Sequence, residues 1–173
     1  MLGTSNPSGQ PVAEGLTDRE MNEMTNNKLE ATSFLECVCL KLRKGARRTT
    51  NIYDAFLEPA GLRITQFGLL GHLELHAEPM SIGALADALD LDPTTLYRNL
   101  KPLEKKKLLK ISANARDRRA KEISITSAGR KLLWQAAPLW KAAQDHLLET
   151  VGEKQTQALS KMLDLSLTRL NKS

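Results

Sequence analysis

The stretch from Ser81 to Thr126, SIGALADALDLDPTTLYRNLKPLEKKKLLKISANARDRRAKEISIT, constrains the fold more than any other part of the chain. Behind Ser81, the residues Ile82, Leu85, Ala86 and Leu89 recur at helical spacing, which predicts a short amphipathic helix. Asp90-Leu91-Asp92-Pro93 breaks it and starts a second helix, with Asp92 as N-cap and Pro93 at the first helical position. Leu96, Leu100 and Leu103 form the inward stripe of that helix and leave Thr94, Thr95, Arg98, Asn99 and Lys101 on its other faces. Strand-forming runs at Leu108–Ser112 and Glu122–Thr126 flank a loop holding Arg116, Asp117, Arg118 and Arg119. A helix-turn-helix with a basic hairpin attached is a DNA-docking surface.

Charge is concentrated in the same region. The 173-residue chain has a net charge of +5, yet residues 92–131 hold 12 Lys and Arg against 4 Asp and Glu, a local +8. A basic zone on a nearly balanced body is the electrostatic footprint of polyanion binding. A solvated charged face accounts well for Lys105-Lys106-Lys107, and less well for the arginines at the hairpin tip. No run of about 18 apolar residues could span a bilayer. The N-terminus lacks the basic-then-apolar pattern of a secretory signal. Two cysteines, Cys37 and Cys39, imply no disulfide framework. A soluble cytoplasmic protein without a membrane partner is the expectation.

Residues 1–27, rich in Gly, Ser, Pro, Asn and Thr, read as a flexible tail, and residues 28–173 as one domain. From about Ala31 to Leu57, the residues Leu35, Val38, Leu42, Ala46, Ile52 and Phe56 recur at helical intervals, and Lys41, Arg43, Lys44, Arg47 and Arg48 make the middle basic. Pro59-Ala60-Gly61 ends this helix. The next has Thr65 as its expected N-cap and Phe67, Leu69, Leu70, Leu73 and Leu75 as its buried positions. After the hairpin, Ser127 is the expected cap of a long helix to about Thr150, and Pro138 inside it predicts a kink or a local break. Gly152 separates it from a last helix, about Lys154 to Leu170, with Leu159, Met162, Leu163, Leu167 and Leu170 as its stripe. The expected fold is mainly α with a small β-hairpin wing. It comprises a DNA-binding lobe at about 62–126 and a helical dimerisation region at about 31–57 and 127–171.

The outer helices are amphipathic and have little to pack against within one subunit. Pairing across a two-fold axis would bury their stripes and give a homodimer. Its two heads would read half-sites about one helical turn apart on double-stranded DNA, so the expected operator is a pseudo-palindrome.

The order of these elements, with TQFGLL, the SIGALADALDLDPTTLYRNLKPLEKKKLL unit and DRRAKEISITSAGR, resembles the MarR family of winged-helix transcriptional regulators from about Cys37 to the final helix. Within that family, CVCLKLRKGARRTTNIYDAFLEPAGLRITQF is similar to a bacterial subgroup with Cys-x-Cys ahead of its first basic helix. The resemblance implies an obligate homodimer built from the first and last helices. It also implies a recognition helix, Thr94 to about Lys106, in the major groove, and a wing, about Asn114 to Lys121, at the neighbouring minor groove. It implies a regulator that represses by blocking promoters and releases DNA on meeting a small aromatic ligand or an oxidant. Relatives in the subgroup carry Arg where Pro93 stands and Gly where Lys107 stands. Lys107 must therefore accept a strained left-handed cap or adopt another conformation.

Arg98 is the leading residue for base readout, because a guanidinium can bridge guanine O6 and N7, worth about 1–3 kcal/mol of discrimination. Thr94, Thr95 and Asn99 can bond bases or phosphates from the first two turns, and Lys101 stands with them as a DNA-contact residue. Plain solvent exposure is the competing reading for Thr94 and Asn99. Tyr97 either packs or touches a phosphate. In the wing, Asp117 braces Arg119, so that Arg118 or Arg119 enters a narrow minor groove, and Arg116 belongs to the same basic tip. Tyr53, Phe67, His72, Trp134 and Trp140 are either walls of an aromatic-ligand pocket or ordinary core residues.

Cys37 and Cys39, read as helical residues, point about 160° apart and are poorly placed to pair with each other. Pairing between subunits, with basic neighbours favouring the thiolate, competes with a reading as small buried hydrophobes. His72 and His76 have the spacing of two metal ligands without a third, so neither a metal nor a cofactor is expected. No nucleophile–base pair can be assembled, so the chain is not expected to be an enzyme. The favoured reading is a sequence-specific DNA-binding transcriptional repressor released by a small ligand. The alternatives are a thiol-switched regulator and a winged-helix protein-interaction module without DNA binding.

Overall fold

The computed structural model describes Thr17 and residues 36–76, 78–113 and 121–170. The expected tail, apart from Thr17, and the expected wing tip with Arg116, Asp117, Arg118 and Arg119 lie outside the described residues. Helix α1 spans Val38–Leu57 and runs into a 3-10 turn at Glu58–Ala60. Then come α2 (Ile64–Leu75), β1 (Met80–Ser81), α3 (Ile82–Ala88), α4 (Pro93–Lys105), β2 (Leu109–Ala113), β3 (Lys121–Ile125), α5 (Ser127–Val151) and α6 (Glu153–Leu170). The chain is thus mainly helical with a small antiparallel sheet. No helix among the described residues is long and apolar enough to cross a membrane.

The sheet has three strands in the order β1-β3-β2, one more than the expected hairpin. Met80 pairs with Ile123 and Ser81 with Glu122, while β2 and β3 run in register from Leu109–Ile125 to Ala113–Lys121. A two-residue strand has no alternation to read. Its pairing nonetheless fastens the entry of α3 to the base of the wing.

The chain divides into two compact units between Ala46 and Arg47. In the first, Lys41 Nζ meets Glu36 Oε2 at 2.5 Å, and that contact holds the Glu36 carboxyl below its ordinary range. Val38, Leu40 and Leu42 are exposed there. Cys37 and Cys39 are both free thiols, the first half-buried and the second exposed. Cys37 lies one residue ahead of α1, so the angular argument for two helical positions does not apply to this pair.

The second unit holds the core. Leu96, Leu100 and Leu103 of α4 are each fully buried against Leu57, Leu70, Leu85, Leu109 and Ile123. Each such leucine contributes about 1.5–3 kcal/mol relative to exposure. Leu75, expected in this core, is 84% exposed. It follows Leu73 by two positions and so points roughly 160° from Leu73's inward direction.

Two helix starts differ from expectation by one or two residues. Helix α2 begins at Ile64 with Arg63 as N-cap, not at Thr65. Asp54 Oδ1 of α1 accepts the Ile64 N–H at 2.7 Å, and Gln66 Oε1 accepts the Arg63 N–H at 3.1 Å. A carboxylate ten residues upstream therefore replaces the local hydroxyl cap. For α5 the cap is Thr126, whose hydroxyl accepts the Gly129 N–H at 3.0 Å, and Ser127 is the first helical residue. Helix α5 continues without a break through Pro138.

Candidate nucleic-acid interface

The interface begins with two capped helices. Ser81 Oγ accepts the Ala84 N–H at 3.0 Å to start α3, and Asp92 Oδ1 accepts the Thr95 N–H at 2.9 Å to start α4. Hydrogen bonds from the Thr95 side chain and amide hold the exposed Asp92 carboxyl below its usual range. A group whose folded pKa is depressed contributes its full stabilisation above the unfolded value, near 3.8, and loses it as pH falls through the lower folded value. Asp92→Ala is therefore expected to lower the thermal midpoint by a few degrees at pH 7. The difference from wild type should shrink below about pH 4, as read by thermal scans across pH.

Helix α4 presents a sorted set of side chains. Thr94, Arg98 and Lys101 are exposed at intervals of four and three, which places them on one stripe opposite Leu96, Leu100 and Leu103. Thr95 and Asn99 are half-buried on the flank between these faces. Tyr97, half-buried on the other flank, has Lys101 Nζ 5.3 Å and Lys121 Nζ 5.5 Å from its ring centre. The sequence places Lys121 only at the end of the expected wing and does not signal its approach to Tyr97, because only the hairpin register brings the first residue of β3 to α4.

The far end of α4 is tied down. Lys107 takes the left-handed conformation at φ +58°, which costs a residue with a β-carbon about 1–2 kcal/mol. The compensation is a Schellman closure, in which the Lys107 N–H reaches Glu104 O at 2.8 Å and the Leu108 N–H reaches Leu103 O at 2.9 Å. Thr126 Oγ1 also donates to Lys107 O at 2.8 Å, and Lys106 Nζ donates to Gly61 O at 2.9 Å. Lys106 and Lys107 thus fix the helix end, while Lys105 lies exposed in its last turn, where the helix dipole favours a cation.

The five aromatic and imidazole residues considered as pocket walls are distributed over the second unit. Phe67 and Trp140 stack with ring centres 5.9 Å apart and an interplanar angle of 11°. Tyr53 is buried, which pushes its phenol up, and its hydroxyl donates to Gln144 Oε1. Trp134 is exposed and its indole N–H donates to Glu74 Oε1 at 3.3 Å. The carbonyl of half-buried His72 is hydrogen-bonded to His76 Nδ1 at 2.8 Å. A cavity of about 470 Å³ lies elsewhere, lined by Asp54, Glu58, Arg63, Gln66 and Lys106, and one of about 100 Å³ lies beside Leu73, His76 and Arg130. Neither touches any of the five.

A general helix-turn-helix domain family matches residues 65–111, from α2 through the recognition-helix candidate into β2. The chain is 31% identical to the Mycobacterium tuberculosis transcriptional regulator MosR, solved in complex with DNA. That match covers 76% of this chain and 97% of MosR, with a TM-score of 0.65. A mutant of Escherichia coli MarR complexed with operator DNA is 20% identical and superposes at a TM-score of 0.69, covering 78% of this chain and 97% of that one. Bordetella bronchiseptica BpsR, whose DNA binding is regulated by 6-hydroxynicotinic acid, is 23% identical with a TM-score of 0.68, covering 77% and 94%.

Proposed function

The chain belongs to the MarR family of winged helix-turn-helix transcriptional regulators, and we propose that it is a homodimeric repressor of a pseudo-palindromic operator, released by a small aromatic ligand. The observation that carries DNA reading is the exposed Thr94–Arg98–Lys101 stripe on a capped, fully packed helix inside a region of local charge +8. Arg98 reads a base, Thr94, Thr95 and Asn99 assist from the first turns, and Lys101 meets the backbone. Arg118 or Arg119 enters the adjacent minor groove, and Arg116 contributes to the same basic tip as a DNA-contact residue. The dimer is supported by α6, which has no buried residue and leaves Leu159, Met162, Leu163, Leu167 and Leu170 in water. Ligand release is supported by the regulation of BpsR by an aromatic acid.

The test is selection of genomic fragments by the purified full chain, followed by a salt titration on the enriched site. A dimer on its operator should lose affinity steeply with salt, with log K against log [salt] falling by about 0.9 for each phosphate neutralised. No enrichment and no salt-dependent binding would overturn the reading, and a stable dimer without DNA binding would favour the interaction-module alternative. A thiol switch through Cys37 or Cys39 is the second reading, supported by two free thiols of which neither is fully buried. Repeating the titration after peroxide decides it. Loss of binding that a reductant restores, and that Cys37→Ser with Cys39→Ser abolishes, would support the switch.

A further inference from the structure

Tyr97 is the one large side chain of α4 that faces neither the leucine core nor open solvent. Its neighbours explain the position. Lys101 follows it by four residues and so stands one turn along the same face of the helix. Lys121 comes from the first pair of the wing's ladder, opposite Ala113. Both ammonium groups lie within 5.5 Å of the same ring centre. Among the described residues no carboxylate forms an ion pair with either lysine. Two like charges gathered in this way repel each other, and the negative face of the phenol ring offsets part of that cost.

We propose that Tyr97 is a positioning residue that holds Lys101 of the recognition helix and Lys121 of the wing as a two-ammonium clamp for neighbouring phosphates of the DNA backbone. The proposal rests on the DNA-binding reading above and deepens it. A lysine is long and loses much rotamer freedom when it fastens on a phosphate. A ring that already gathers two of them removes part of that loss before DNA arrives. The anion then relieves the repulsion between the ammonium groups, which strengthens the contact further. Because phosphates carry no sequence information, the clamp supports operator and unrelated DNA alike. It also joins the two parts of the reader. One lysine belongs to the helix that enters the major groove and the other to the base of the wing.

Ring removal and ring retention separate this role from a contact made by the tyrosine hydroxyl. Tyr97→Leu is expected to weaken binding about 3- to 10-fold on operator and unrelated duplex alike and to make the salt slope shallower by about 1. Tyr97→Phe, which keeps the ring, is expected to restore both. In the Lys101→Ala, Lys121→Ala background, Tyr97→Leu should add nothing. Equal losses in Phe and Leu variants would assign the effect to the hydroxyl, and a loss that persists without the lysines would overturn the clamp.

Ring-current shifts of the two lysine ε-methylene protons in DNA-free protein test the geometry independently. Their absence overturns the clamp whatever the DNA result. Their presence in a chain that binds no DNA would overturn the functional reading and leave the geometry standing. If Tyr97→Leu fails to fold, the single and double lysine variants decide. Non-additive losses support one shared unit, and strictly additive losses overturn it.

Discussion

Gly129→Ala is expected to destabilise the protein by about 1–3 kcal/mol or more, although alanine is the better helix former by about 1 kcal/mol. A β-carbon at Gly129 would lie 1.9 Å from Leu108 O, 2.9 Å from Leu108 C and 3.0 Å from Ile125 Cγ1. The nearest obstacle is backbone, and it is held from several sides. Leu108 O accepts the Thr126 N–H and the Thr126 hydroxyl, both at 3.1 Å, while the Leu108 N–H is bonded to Leu103 O. Relief would therefore have to move the end of α4, the base of β2 or the first turn of α5. Gly71 provides the control. It is also helical, with nothing within 4 Å of the added carbon, so Gly71→Ala should be neutral or stabilising by up to about 1 kcal/mol. Thermal or denaturant unfolding of the two variants should move in opposite directions. A rise in stability for Gly129→Ala would mean that α5 does not press on Leu108. Since Thr126 also bonds Lys107 O, the same joint fixes the end of the recognition helix, so loss of DNA affinity should accompany loss of stability.

What the sequence disclosed about this joint and the rest of the fold follows from how local each cause is. Asp92, Pro93 and the stripe Leu96, Leu100, Leu103 act within thirteen residues, and the structure places all of them as periodicity and capping chemistry require. The N-cap of α2 lies two residues ahead of Thr65, the cap that local chemistry predicts, because the acceptor that fixes the helix start, Asp54, belongs to another helix. Leu75 departs from the expected core because, two positions after buried Leu73 at the helix end, it points to the opposite side. Strand β1 is two residues long and exists only through pairing with Ile123 and Glu122. The SAGR tetrapeptide signalled the start of a helix, but nothing in it reports that Gly129 stands against a carbonyl twenty-one residues earlier. For the candidate site the same division holds. Thr94, Arg98 and Lys101 were legible as the outward face of one helix, whereas Lys121 reaches Tyr97 only through the register of the hairpin.

Arg98→Ala is expected to cost about 1–3 kcal/mol on the operator, roughly 5- to 150-fold in affinity, with a much smaller effect on unrelated DNA. Arg98 is exposed at the centre of the stripe opposite the buried leucines, one turn from Thr94 and three residues from Lys101. That position gives its side chain reach into a groove without disturbing the core, so circular dichroism and thermal midpoint should stay near wild type. A base contact and a phosphate contact then differ in two measurable ways. Loss of a base contact lowers the ratio of specific to non-specific binding and relaxes preference at one position of the site, leaving the salt slope nearly intact. Loss of a phosphate contact weakens all sequences alike and makes the slope shallower by about 1. Arg98→Lys keeps the charge and removes the planar fork, so for base readout it should resemble alanine in specificity while retaining more affinity. If Arg98→Lys equals wild type on the operator, and Arg98→Ala weakens every duplex equally, Arg98 serves the backbone. Base reading would then pass to Thr94, which is exposed in the first turn of α4 on the same stripe.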